Sequence, residues 1–481
     1  MKVGILTDYP SLAVQSGPSL HTRFLHDGLM RRNHEVLLMG PDTTSTAPAD
    51  DVETFLLDGV PYPSHPKVRV VVPRPVEKLL RPPKLDIIHG QVNNHVIEYA
   101  NWIRRMYRTA VLNTHIIHLP THSHFLLSDG LYANGMVREL TRQSAHSVER
   151  AFARSYNDGD ALIVQSRFMV DYWRSRGVTV PIEVVGRPID PAKFSRQPGR
   201  DPFPAHLERG SRLVVVCRQD REKNLELLLD IFDRHIAPSD PAVSLTLIGH
   251  GHTHASLVAQ ATRSRYADRI FFAGEVAHNH LVDWYAHADA FVYTSLSETF
   301  GNVVNEALWC GLPVIALNDR MGVAHQILDT VNGFLIEPDH VDTATRFAET
   351  TLTVLRNRAL RQRLAHDAIR FAHRVSHPDV VLSRFERIYE QAIKRAHDCV
   401  TEPLSERSVA TQRLALAKHV ATWARFNYLA LGIGSLSKYI GHTRPQLADN
   451  AIQQAPQSAP LEVHQAPIER RFPTLELDAA E

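Results

Sequence analysis

Short aliphatic and β-branched runs alternate with stretches of helical spacing from the first residues onward. Residues 3–6, 35–39, 68–72, 86–89, 110–114, 161–164 and 182–185 read as strands. Among them, residues 21–32 place Phe24, Leu25, Gly28 and Leu29 on one helical face, and 97–107 read as a second helix. Strands that alternate with helices predict an α/β domain with a parallel, doubly wound sheet, here over residues 1–190. Proline and glycine then accumulate from Arg187-Pro188-Ile189-Asp190-Pro191 to Pro204, which marks a linker over 191–210. The pattern restarts with strands at 213–217, 244–248, 270–272, 290–293, 314–316 and 333–336 and a helix at 224–232. This predicts a second doubly wound domain over 211–376. Two such domains facing each other form a cleft, and ligands bind at the carboxyl ends of their strands. Val381, Phe385, Ile388 and Tyr389 then recur at helical spacing. An extension over 398–444 reads as mostly helical from 405 to 440, interrupted by Gly432 and Gly434. Residues 445–481 are rich in Pro, Gln, Ala and Glu and are expected to be disordered.

Composition changes this picture little. The 481 residues are 44 % hydrophobic and 22 % charged, as in an ordinary globular protein. A formal net charge of +1 gives no global case for nucleic acid. Cys217, Cys310 and Cys399 lie far apart and form no metal-finger spacing, so a reduced, cytoplasmic chain is expected. The first residues read as a strand rather than a signal peptide. No stretch approaches the roughly 20 apolar residues of a spanning helix. The 28 histidines are scattered, which suits a polar surface better than a metal centre.

The chemistry concentrates between Ser295 and Ile315. A predicted strand ends at Tyr293, a loop carries Glu298, Thr299, Phe300, Gly301 and Asn302, and a helix then carries Glu306. The N–H groups at a helix start favour anionic or oxygen-rich ligands. Glu298 and Glu306 stand eight positions apart, so both can reach one cleft wall. Carboxylates suit sugars because they accept bonds from vicinal hydroxyls. Gly311-Leu312-Pro313 then ends the helix and starts the next strand.

This segment resembles the retaining GT-B glycosyltransferases of the glycogen synthase, bacterial mannosyltransferase and glycolipid synthase type. Further segments match in the same order: Arg218 and Lys223 at a strand end, Gly249 in the next strand-end turn, and Glu275 and Val276 in a base loop. In the first domain the match is Gly17 in the opening loop, His115 after a strand, and Arg187-Pro188-Ile189-Asp190 before the linker. The resemblance covers roughly residues 1–395 and implies a GT-B fold, with a helix at 377–397 crossing back to the first domain. It also implies a nucleotide-diphosphate sugar, UDP- or GDP-linked, as co-substrate, with no cofactor and no metal required. Arg218 and Lys223 would stabilise the leaving diphosphate. Glu298, with the backbone near Phe300 and Gly301, would hold the donor sugar, and Glu306 the ribose hydroxyls. His115 would lie at the reaction centre, with His118 as its fallback. Glu149 faces the acceptor or makes a helix salt bridge.

The acceptor is less legible. Residues 74–84 are basic and partly apolar, 102–108 set aromatics beside cations, and the extension carries Trp423, Phe426, Tyr428 and Tyr439 beside Arg413, Lys418, Arg425 and Lys438. These features suit an anionic membrane surface and a lipid acceptor at the inner face of the plasma membrane. Packing of the extension on the two domains or on a second subunit suits them equally. A nucleotide-sugar epimerase, a phosphorylase or a non-catalytic sugar-binding relative are the rival classes. Intact Arg218, Lys223, Glu298 and Glu306 favour an active transferase.

Overall fold

In the computed structural model, residues 1–8, 10–12, 17–42, 52–62, 65–72, 76–91, 96–116, 135–195, 198–207, 210–399 and 402–440 are described. His118 and residues 445–481 fall outside them. The strands are β1 (Lys2–Thr7), β2 (Glu35–Pro41), β3 (Thr54–Leu57), β4 (Gly59–Tyr62), β5 (His65–Val71), β6 (Ile87–Gln91), β7 (Ala110–Thr114), β8 (Ala161–Val164) and β9 (Ile182–Val184). After them come β10 (Arg212–Val216), β11 (Ser244–Ile248), β12 (Ile270–Gly274), β13 (Ala290–Tyr293), β14 (Val314–Leu317) and β15 (Gly333–Ile336).

The first sheet has the order β3-β2-β1-β6-β7-β8-β9 and the second β12-β11-β10-β13-β14-β15, with every pair parallel. Helices pack on both, so central strands are buried on both faces and read as continuous apolar runs. Strand order reverses beside β1 in the first sheet and beside β10 in the second, and such switch points open a crevice at the carboxyl ends. This is the GT-B architecture.

One expected strand changes place. All but the last of residues 68–72 fall within β5, which pairs antiparallel with β4 in a separate ribbon instead of joining the main sheet. Its alternating Lys67-Val68-Arg69-Val70 pattern suits a half-exposed ribbon. The sheet edge goes to β3, which the pattern did not single out. The stretch expected as a linker is also not free chain, since Phe194, Phe203 and Leu207 are buried and the first two lie in the second core.

Two segments run between the sheets. After β9, Ile189 N–H donates to the Ser376 carbonyl at 2.9 Å, where the second crossing begins. The helix Pro378–His397 starts with His377 as cap and proline in its first turn. It buries Val381, Leu382, Phe385, Ile388 and Tyr389 among residues of β1, β6 and β7. The Tyr389 hydroxyl meets His89 Nδ1 at 2.7 Å, and His89 Nε2 meets Thr114 Oγ1 at 2.6 Å. Crossing helix and first sheet thus share a buried polar chain. Burial pushes the His89 imidazole down to about 3, so it serves as a neutral link at physiological pH.

The extension is one helix, Val409–Ile440, that runs through both glycines. Its first half docks on the first domain. Trp423 is buried beside Tyr99 with ring centroids 6.3 Å apart, and His419 Nε2 lies 2.7 Å from the Glu98 carbonyl. Trp102, expected on a membrane-facing surface, is wholly buried and donates to the Leu79 carbonyl at 2.6 Å. Its neighbour Arg104 pairs with Asp160 at 2.7 Å. Trp102, Ile103 and Met106 of the 102–108 stretch are therefore core and Arg104 is in an ion pair, while Arg105 stays exposed. Trp423→Ala should destabilise the protein by about 3–5 kcal/mol, the usual range for emptying a buried aromatic site. The check is a urea midpoint, and an unchanged midpoint means that the helix does not dock.

Candidate active site

The site forms where β10 and β13 end side by side. After β10 the chain runs through Cys217 and Arg218 to the short turn Arg221–Lys223, and Asn224 takes a left-handed conformation to start the next helix. After β13, Thr294 Oγ1 lies 3.0 Å from the carbonyls of both Lys223 and Asn224. Ser295 Oγ reaches the Glu222 carbonyl at 3.3 Å and Glu298 Oε1 at 2.9 Å. Two loops far apart in sequence are stitched into one wall.

At its centre Lys223 Nζ binds Glu298 Oε1. The Tyr293 hydroxyl donates to the same oxygen at 2.6 Å. Burial works to push the Glu298 carboxyl up, but the Lys223 ammonium and the bonds from Lys223, Tyr293 and Ser295 outweigh it and hold it below its ordinary value. Burial likewise works against charge on Lys223, and Glu298 outweighs it and raises the ammonium. Both stay ionised at neutral pH. Arg218 stands outside this pair, with its side chain 56 % exposed, 3.2 Å from Asp220 and 3.4 Å from Glu222. His252 Nδ1 holds the other Asp220 oxygen at 2.9 Å. Gly249 lies in the adjoining turn and its carbonyl accepts from Gln219 at 2.8 Å.

The Glu298 loop is braced from behind. Gly301 has φ 84°, a left-handed conformation that glycine adopts without penalty, and the helix Asn302–Trp309 follows. Gly322 N–H donates to the Glu298 carbonyl at 2.8 Å, and a Cβ there would stand 2.5 Å from Phe300 Cα. Asp319 caps the helix Gly322–Gln326 with bonds from the amides of Met321, Val323 and Ala324, and burial pushes its carboxyl up to about 6. Phe300 and Thr299 are buried, whereas Asn302 is exposed at the helix start.

Glu306 lies on the same helix and is 5 % exposed. Tyr285 donates to its Oε2 at 3.0 Å, and His278 Nε2 stands 3.0 Å from its Oε1. Glu275 is exposed and Val276 half-buried in the loop just before His278. Asn305, beside Glu306, donates to the Arg187 carbonyl at 3.1 Å and accepts from Ser376 Oγ at 2.8 Å, so the helix is tied to both crossings.

In the first domain Gly17 opens the helix Gly17–Arg31. His115 follows β7 and is buried, with Nδ1 3.4 Å from the Tyr156 hydroxyl and its ring edge-on to Trp173 at 4.7 Å. Glu149 is wholly buried, accepts from the Tyr172 hydroxyl and pairs with Arg176 at 2.7 Å. These partners make it an internal ion pair, which removes the support for an acceptor-facing role. Ser166 Oγ, just past β8, donates to the Met321 carbonyl at 2.7 Å, so the loops at the carboxyl ends of β8 and β14 touch. Among the described residues no three or more His, Cys, Asp or Glu side chains gather as for a metal ion. Tyr293, Ser295, Tyr285 and His278 were not singled out in the sequence. Only their nearness to the two glutamates marks them, and for Tyr285 and His278 that nearness is spatial.

Residues 202–371 match the family described as Glycosyl transferases group 1, and residues 16–193 match Glycosyltransferase Family 4. The alpha-monoglucosyldiacylglycerol synthase of Streptococcus pneumoniae is 27 % identical over 66 % of this chain and 71 % of its own length. A glycogen synthase of Mycobacterium tuberculosis is 28 % identical over 49 % of this chain and 56 % of its own. Among solved structures, the sucrose-phosphate synthase of Thermosynechococcus elongatus superposes with a TM-score of 0.62 at 19 % identity, over 82 % of this chain and 99 % of that one. Anabaena HepE in complex with UDP gives 0.60 at 17 % identity, over 81 % of this chain and 100 % of that one. Both domains thus match glycosyltransferase family models, and the fold is the GT-B fold.

Lys223→Met should cost about 3–5 kcal/mol by leaving a buried carboxylate without its cation. The depressed Glu298 value means that its stabilisation is full above the ordinary carboxylate range and is lost only as pH falls through the folded value. In the variant, burial should raise Glu298 instead, so acid relieves the cost. The stability gap between wild type and variant should therefore narrow from pH ~7 to ~5. A gap independent of pH, measured by urea unfolding, contradicts this account of the pair.

Proposed function

We propose that this glycosyltransferase moves a hexose from a UDP- or GDP-sugar to the hydroxyl of a membrane glycolipid precursor such as diacylglycerol, with retention at the anomeric carbon and without a bound metal. The observation that carries the donor half is the wall in which Lys223 and Glu298 pair beside exposed Arg218. Such a wall offers cations to a departing diphosphate and a carboxylate to sugar hydroxyls. In this reading the bond from the anomeric carbon to the phosphate oxygen breaks and a bond to the acceptor oxygen forms on the same face. The acceptor proton passes to the departing phosphate. Arg218 and Lys223 stabilise the phosphate charge, Glu298 with Thr299, Phe300, Gly301 and Asn302 holds the sugar, and Glu306 holds the ribose. Gly249, Glu275 and Val276 flank the nucleotide, Gly17 approaches it from the first domain, and His115 orients the sugar.

The lipid acceptor is supported by the resemblance to a diacylglycerol-glycosylating synthase. A soluble or polysaccharide acceptor is the second reading, favoured by the likeness to glycogen synthase. No described helix is long and apolar enough to cross a membrane, and a peripheral attachment at the inner membrane face fits the lipid reading.

A panel of UDP- and GDP-sugars offered to diacylglycerol vesicles, a lipid extract and glycogen separates the readings, with products identified by mass and anomeric configuration. An α-linked lipid product supports the proposal, and product on glycogen alone overturns the lipid acceptor. Arg218→Ala should lower kcat by about 10²–10³-fold with an unchanged unfolding midpoint, since the side chain is exposed. Wild-type turnover in that variant removes Arg218 from the leaving-group role.

A further inference from the structure

The two Glu306 oxygens have unequal partners. The Tyr285 hydroxyl, donating to Oε2, is buried. The His278 side chain, on Oε1, is 42 % exposed, against 6 % for the Glu306 side chain. His278 begins a single helical turn, His278–His280, four residues after Gly274 ends β12 and past the loop assigned to the nucleotide base. Its ring meets Phe194 edge-on, with centroids 5.1 Å apart at 76°. Phe194 is itself buried at the end of the short helix Pro191–Phe194, which Asp190 caps. The imidazole is thus held against a fixed ring while one edge stays open to solvent.

We infer that His278 is a positioning residue for the nucleoside half of the donor, setting the Glu306 carboxylate to receive the vicinal hydroxyls of a ribose. This rests on the proposed ribose role of Glu306. Each carboxylate oxygen accepts about two hydrogen bonds. Tyr285 and His278 use one on each, which leaves one on each for a diol. With Tyr285 alone, the carboxylate pivots about a single bond and presents its oxygens at no fixed spacing. A group already held in its bound orientation loses less freedom on binding. The exposed edge of His278 faces solvent and not the core, so on this reading it acts on ribose recognition rather than on the fold.

The test compares binding of UDP with 2′-deoxy-UDP, and of GDP with 2′-deoxy-GDP, to the full chain by calorimetry. In the pair that binds, wild type should favour the ribonucleotide by about tenfold or more, as for a lost hydrogen bond to a charged group. His278→Ala should weaken the ribonucleotide and leave the deoxy form nearly unchanged, so that discrimination shrinks. His278→Gln, which keeps a donor, should restore part of it. Equal weakening of both forms, or no change in either, overturns the inference. Glu306→Ala separates this from the underlying reading: if that variant still discriminates as wild type does, the ribose role of Glu306 falls. If it loses discrimination while His278→Ala keeps it, only the role of His278 falls.

Discussion

The wall that defines the site depends on one buried ion pair, Lys223 with Glu298. Each partner alone would be costly, since an unpaired charge out of water loses its hydration without return. Together they bridge the loops after β10 and β13 at the switch point of the second sheet. Tyr293 and Ser295 add donors to the same carboxylate oxygen, and Thr294 fixes the backbone of the lysine loop. The lysine cannot move without exposing the glutamate, and the glutamate loop cannot move without breaking its bond to Gly322. On the proposed function, stability and donor recognition therefore share the same atoms. In the proposed reaction this has a use, because the cation is already oriented before a diphosphate arrives and no reorganisation is needed when charge develops.

The same economy extends to the helix behind that loop. Asn305 bonds both segments that run between the sheets, and its neighbour Glu306 faces the other way, to Tyr285 and His278. Trp309 closes the far end with a bond to Ser195 at 3.1 Å and a stacked contact with His373. One short helix thus carries a candidate ligand group on one side and the inter-sheet crossings on the other.

Much of this was legible from sequence, for a physical reason. Central parallel strands are buried on both faces, so β1, β10 and β13 announce themselves as apolar runs. The Glu298–Glu306 segment is local, with its turn, helix start and stop all within a few residues. What stayed hidden depends on long-range contact. His278 and Tyr285 stand 28 and 21 residues before Glu306, and His419 meets Glu98 across 321 residues. The strand at 68–72 was misplaced because a short alternating strand does not state which partner it pairs with. Glu149 was open between two readings because a carboxylate in a helix looks the same whether it faces a ligand or Arg176.

Two tryptophans, one in the first domain and one in the extension, show how burial reverses a surface argument. Trp102 and Trp423 stand beside cations in sequence, a pattern that suits an interface with lipid. In the fold they belong to one core, with His419 between the extension and the helix that carries Trp102, ring centroids 5.5 Å apart. Neither indole is available to a membrane. The cations around them do not share that fate equally, since Arg104 is spent on Asp160, whereas the extension's Arg413 and Lys418 lie on its docked but solvent-edged half. Docking of that half makes the extension part of the first domain. The donor wall, held by Lys223 and Glu298, belongs to the other sheet.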